Sequence, residues 1–228
     1  NCIISYYATK EASFSVSESG IWYIGFYCYS GAWEGNLYIK QIDITTEATY
    51  PAPINDLKVT AGENGALTAN LSWTNPSTNN MGGELSSLSG TKIYRDGALI
   101  ETLLNTSIGN PVEWTDNNQI EQPGKYVYKV VPFNEDGDAL GTPKNVTSPW
   151  IGEDTPNAVT DLIATADMQT VSVDFTPPTK GKNDGWVNTQ ELSYKILRNP
   201  GNVTLEEAYK GNIPYMDTVN ELASYTYT

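Results

Sequence analysis

The chain has 228 residues, 13 basic and 27 acidic, with a net charge of −14 and no histidine. So acidic a chain, with no basic cluster, argues against phosphate-driven nucleic-acid binding and against attachment to an anionic membrane. The absence of histidine removes Ser-His and Cys-His nucleophile pairs and every His-ligated metal site.

Composition favours strands. Fifteen Tyr and six Trp accompany frequent Val, Ile and Thr, and glycine and proline fall between the apolar runs. No apolar run reaches the ~18 residues of a membrane span, so membrane insertion is not expected. The length allows two to three modules of about 100 residues.

In chain order, the first module covers residues 1–48. Ile21 to Tyr29 reads as a long aromatic strand, GAWEGN as a turn, and Leu37 to Ile44 as a second strand, together a hairpin. Cys2 and Cys28 either bridge adjacent strands or are two buried thiols. The Pro-containing stretch from Thr45 to Pro53 reads as a linker.

From Ile54 the chain repeats itself. INDLKVTA returns as VTDLIATA from Val159, LSWTNP as VDFTPP, KIYRDG as KILRNPG, WTD as YMD, and KYVY as SYTY. Asp56/Asp161, Trp73/Phe175, Arg95/Arg198, Asp116/Asp217 and Tyr126/Tyr225 are offset by 105, 102, 103, 101 and 99 residues. A near-constant period of this size signals tandem copies of one domain. Each block alternates as half-buried strands do, with Leu57, Val59, Leu71, Trp73 and Ile93 facing inward. The strand from Tyr126 is apolar or aromatic on both faces, as a central strand should be. Several short strands with turn signals between them predict an all-β fold of tandem antiparallel sandwiches.

Arg95-Asp96-Gly97 looks like a rearranged adhesion tripeptide, but Asp-Gly between two strands is a strong type I′ hairpin signal. The second copy replaces it with Asn-Pro-Gly-Asn, so the position reads as a connection. Residues 52–152 are expected to form one domain and 156–228 a second whose last strand is absent. The native polypeptide is therefore expected to continue, with further modules of its own, or else the second module is expected to be poorly ordered at its end. Ile151 to Ala158 reads as a second linker, and Trp150, at its edge, serves either the joint or the core of its own strand.

These blocks resemble fibronectin type III domains in the tandem form of secreted and surface proteins of gut Bacteroidetes. The matching residues are the lead-in ending Asp-Leu-x-Val at Val59, Trp73, the Tyr-Arg-Asp-Gly turn, Trp114-Thr-Asp, and Gly124 to Val130 followed by Asn134 to Gly137. Residues 20–44 are similar to the closing hairpin of the jelly-roll domain of cleaved adhesins and choice-of-anchor proteins. Here IKQI stands where that family often carries an acidic pair. The resemblance implies a secreted or bacterial cell-surface location and a non-catalytic adhesion, binding or spacer role. Its alternative is the accessory region of a secreted peptidase or glycan-degrading enzyme.

Two candidate sites stand out. Trp33 and Trp186 sit in Gly- and Asn-containing loops, where an exposed indole stacks on a sugar ring, folds over the sandwich end, or serves a module contact. Glu135, Asp136 and Asp138 surround Gly137 with the oxygen ligands calcium prefers, but the distal bidentate Glu of an EF-hand loop is lacking, and acidic turns are ordinary at that hairpin. Calcium is the one cofactor with any ligand set here. No catalytic residue is marked, and the identity of a protein or glycan ligand is not readable.

Overall fold

A computed structural model describes residues 48–117, 120–221 and 223–228, all within the compact unit Glu47–Thr228. The hairpin expected over residues 20–44, Cys2, Cys28 and Trp33 lie outside the described residues.

The first repeat contains β1 (Lys58–Ala61), β2 (Ala69–Thr74), β3 (Gly90–Arg95), β4 (Ala98–Leu104), β5 (Pro111–Asp116), β6 (Val127–Asn134), β7 (Gly137–Asp138) and β8 (Val146–Thr147). One sheet runs β1-β2-β5 and the other β4-β3-β6-β7, with β8 also on the outer edge of β6. The second repeat contains β9 (Thr160–Asp167), β10 (Thr170–Thr176), β11 (Tyr194–Asn199), β12 (Val203–Tyr209), β13 (Tyr215–Thr218) and β14 (Thr226–Tyr227). Its sheets run β13-β10-β9 and β12-β11-β14, the same order without counterparts of β7 and β8 among the described residues. Every strand pair is antiparallel. Apart from a 3-10 turn at Glu63–Gly65, the described elements are all strands.

The period-2 pattern accounts for the core. Leu57, Leu71, Trp73, Ile93, Tyr128 and Val130 are buried in one cluster with Ile151. Val171, Val173, Val219 and Tyr227 form a second cluster. The repeats thus have separate cores. β6 is central, paired to β3 on one side and to β7 and β8 on the other, which explains its two apolar faces.

The Asp-Gly reading holds. Asp96 and Gly97 have φ of 49° and 82°, the two positive values of a type I′ turn. Asp96 also ties the turn to β6, since its Oδ1 accepts from the Val127 N–H at 2.8 Å. Arg95 is engaged inward. Its Nη1 donates to Asp116 Oδ2 at 2.7 Å, and the Tyr128 hydroxyl donates to the same oxygen at 2.7 Å. The second copy repeats this cluster as Arg198, Asp217 and Tyr227, again at 2.7 Å for both bonds. Tyr126 and Tyr225 each donate a hydroxyl proton to the carbonyl four residues upstream, Gln122 and Glu221, a tyrosine-corner arrangement.

Candidate functional site

The segment leading into each repeat is bound to that repeat in the same way. In the first, the Ala52 N–H donates to the Thr78 carbonyl at 3.0 Å and the Asn80 N–H to the Tyr50 carbonyl at 2.8 Å. In the second, the Asn157 N–H donates to Lys180 at 3.2 Å and the Lys182 N–H to Thr155 at 2.8 Å. Each segment therefore lies along the loop after the repeat's second strand. Because the second segment follows the first repeat directly, this pairing builds the joint between them.

Asp154 organises that joint. It is 3% exposed, yet its carboxylate is well supplied with donors. Oδ2 accepts from the Asn183 N–H at 2.7 Å and the Gly185 N–H at 3.1 Å, and Oδ1 from Asn183 Nδ2 at 2.9 Å. Burial by itself disfavours the charge. The Asn183 side chain and the backbone N–H groups of Asn183, Gly185 and Thr155 outweigh it and hold the carboxyl below its ordinary value. Gly181 and Gly185 give the carboxylate its room, for a Cβ would lie 2.3 Å from Asp154 Cγ at Gly181 and 2.8 Å from Asp154 Cβ at Gly185.

Two tryptophans close the joint. Trp150 lies against Gly185, where a Cβ would sit 2.5 Å from its Cδ1, and its indole N–H donates to the Glu153 carbonyl at 3.2 Å. Of the two roles open to Trp150, the structure shows the contact at the joint. Trp186, 37% exposed, presses its six-membered ring on Gly65 in the 3-10 turn of the first repeat. A Cβ on Gly65 would be 2.5 Å from Trp186 Cε3, and Gly65 has φ +69°. Glycine is needed there on both counts. The Trp186 carbonyl accepts from the Asp154 N–H at 2.8 Å, so ring and carboxylate belong to one unit.

The acidic turn lies elsewhere, between β6 and β7. Asp138 pairs with Lys92 Nζ at 2.6 Å. Asp136 Oδ2 accepts from the Thr49 N–H at 2.8 Å, and Asn134 Nδ2 donates to the Thr49 carbonyl at 2.7 Å. The turn thus holds the segment leading into the first repeat. Among the described residues no group of three or more carboxylates or thiols is arranged to hold a metal ion. Trp186 and the acidic residues Glu135, Asp136 and Asp138 belong to separate loops of different repeats.

Sequence reasoning missed Asp154 and Gly65. The glycines at 181 and 185 were the available signal, since two closely spaced glycines in a Trp-containing loop mark a close approach by another group.

No protein-family model matches the chain, and no curated protein does. Among solved structures it is similar to the chicken CNTN1 FN1–FN3 domains, with 18% identity and a TM-score of 0.37 over 81% of this chain and 58% of that one. It is also similar to the central fibronectin-III array of RIM-binding protein, with 14% identity and a TM-score of 0.30 over 75% of this chain and 57% of that one. The chain thus spans less than two thirds of either array. Each repeat is built of two antiparallel sheets in one shared order, a tandem β-sandwich architecture.

Proposed function

We propose that the two repeats act as a stiff, non-catalytic spacer in a secreted or cell-surface adhesion or binding protein, holding neighbouring modules at a set distance and angle. The observation that carries this reading is the joint. A free tether needs no buried carboxylate with several donors and no indole seated on a glycine of the preceding repeat. The strong acidity suits a solvated, extended array. A binding role for Trp186 is compatible with this, because the residue remains 37% exposed.

Amide ¹⁵N relaxation on the full chain tests the reading. A rigid joint gives both repeats one shared tumbling tensor, and the double variant Asp154→Ala/Trp186→Ala gives two. Independent tumbling in the unaltered chain would reject the spacer.

A further inference from the structure

The chain holds four Asx-Gly pairs, beginning at Asn64, Asp96, Asp136 and Asp184, and the first is the single Asn-Gly. A following glycine leaves its backbone nitrogen unshielded, because no Cβ stands beside it. That nitrogen is the nucleophile for the side-chain carbonyl carbon one residue back. A carboxylate is a far poorer electrophile than an amide, since its charge repels the attack. Two of the Asp-Gly pairs also have their glycine N–H engaged. Gly185 donates to Asp154 Oδ2 at 3.1 Å, and Gly137 to Asn134 Oδ1 at 3.3 Å.

The Asn-Gly pair sits at the joint. Asn64 is exposed in the 3-10 turn Glu63–Gly65, in left-handed backbone with φ 53° and ψ 37°. Among the described residues no hydrogen bond ties its side chain. At that ψ the Gly65 nitrogen lies across the Cα–C bond from Asn64 Cβ, so an imide ring cannot close until the turn rotates. The Trp186 ring rests on this turn, so close that a Cβ on Gly65 would come within 2.5 Å of it. The joint thus guards the reactive pair.

We propose that Asn64-Gly65 is a self-modifying site gated by the joint, one that turns a transient opening of the joint into a lasting one. When Trp186 lifts from Gly65 and the turn rotates, the Gly65 backbone nitrogen attacks Asn64 Cγ. A new N–C bond forms and the C–N bond of the side-chain amide breaks. Ammonia leaves, carrying the proton lost by the Gly65 nitrogen. Water, the one co-reactant, then opens the five-membered imide. Opening at the side-chain carbonyl gives an aspartyl residue, and opening at the backbone carbonyl gives an isoaspartyl linkage. No electron transfer is involved.

The isoaspartyl product does not refit the joint. Its linkage adds a methylene group to the main chain between Asn64 Cα and the Gly65 nitrogen, so Gly65 moves from beneath the indole. The left-handed turn that seats the ring depends on the original spacing. The inference rests on the contact between Gly65 and Trp186 and not on the spacer role.

The test incubates the full chain in warm, mildly alkaline buffer. It reads ammonia release, a mass gain of one dalton by peptide mapping, and isoaspartate by enzymatic methylation. A synthetic peptide of residues 61–68 supplies the ungated rate. Conversion is expected at Asn64, at least about tenfold slower than in the peptide and at least about fivefold faster in Trp186→Ala than in the unaltered chain. Asp154→Ala loosens the same unit from its other side and should speed the reaction likewise, which keeps the gate testable if Trp186→Ala fails to fold. In the isoaspartyl fraction, nuclear Overhauser contacts between the Trp186 ring and the Gly65 Hα protons should vanish, and Asn64→Asp should retain them. None of these readouts uses tumbling, so failure here is distinct from failure of the spacer reading. No conversion at Asn64 while the peptide reacts fully, a rate that neither variant moves, or contacts kept in the isoaspartyl fraction would each overturn the proposal.

Discussion

The contact between Gly65 and Trp186 can be isolated by a double-mutant cycle. Gly65→Ala places a methyl group in a left-handed backbone, which costs about 1–2 kcal/mol whatever surrounds it. It also drives that methyl to 2.5 Å from Trp186 Cε3 and 2.9 Å from Cζ3. Relieving that contact requires the indole to change rotamer or the loop that carries it to shift. Displacing such a ring adds about 1–3 kcal/mol, the usual range for overpacking. Trp186→Ala removes the second cost and leaves the first. Gly65→Ala should therefore destabilise the unaltered chain by about 2–5 kcal/mol and the Trp186→Ala background by only about 1–2 kcal/mol. Urea denaturation followed by tryptophan fluorescence and by circular dichroism reads all four corners. If the two changes add to within about 0.5 kcal/mol, the ring does not rest on Gly65 in solution, and the argument for a rigid joint fails with it.

Four further outcomes follow from the structure. Asp154→Ala should cost about 1.5–3 kcal/mol, since buried N–H donors lose a charged acceptor. With the carboxyl held below its ordinary value, that stabilisation is complete above about pH 4 and fades as the pH falls further, and acid denaturation of the variant should lack this component. At the alkaline end, burial first and the bond to Asp217 second push the Tyr227 phenol up to about 12, and the same causes with Asp116 raise Tyr128 further. A phenol whose folded value is raised stabilises fully below pH 10 and loses that contribution as the pH climbs through about 12, so Tyr227→Phe should flatten the stability profile in that window. Leu57→Ala should cost about 2–5 kcal/mol and Leu162→Ala under about 1 kcal/mol by thermal melting, although the two share one sequence block. Calcium in the millimolar range should leave Tm unmoved, because Asp138 is engaged by Lys92 and Asp136 by Thr49; a rise that Asp136→Asn abolishes would restore a metal role to that turn.

Much of the fold was legible because its signals are local. Alternation in Leu71–Trp73 and Tyr126–Val130 identifies buried faces within a few residues, and Asp96-Gly97 specifies its turn through two backbone angles. The repeat was legible because two copies of one pattern can be laid side by side. The triad of Arg95, Asp116 and Tyr128 was visible only as three recurring residues. That they meet at one carboxylate oxygen follows from sheet pairing and inter-sheet packing. Likewise the acidic turn could be placed on a hairpin, but its use in holding Thr49 joins residues 87 apart.

By itself the sequence determined an all-β chain of two like sandwiches, the central strands and the hairpin at Asp96, because periodicity and turn chemistry are properties of neighbours. Tertiary structure alone decided that Trp186 meets Gly65, that Asp154 is buried among donors, and that Leu57 is covered while Leu162 lies open. These depend on which distant surfaces come together, and one strand's side-chain pattern carries no record of its partners.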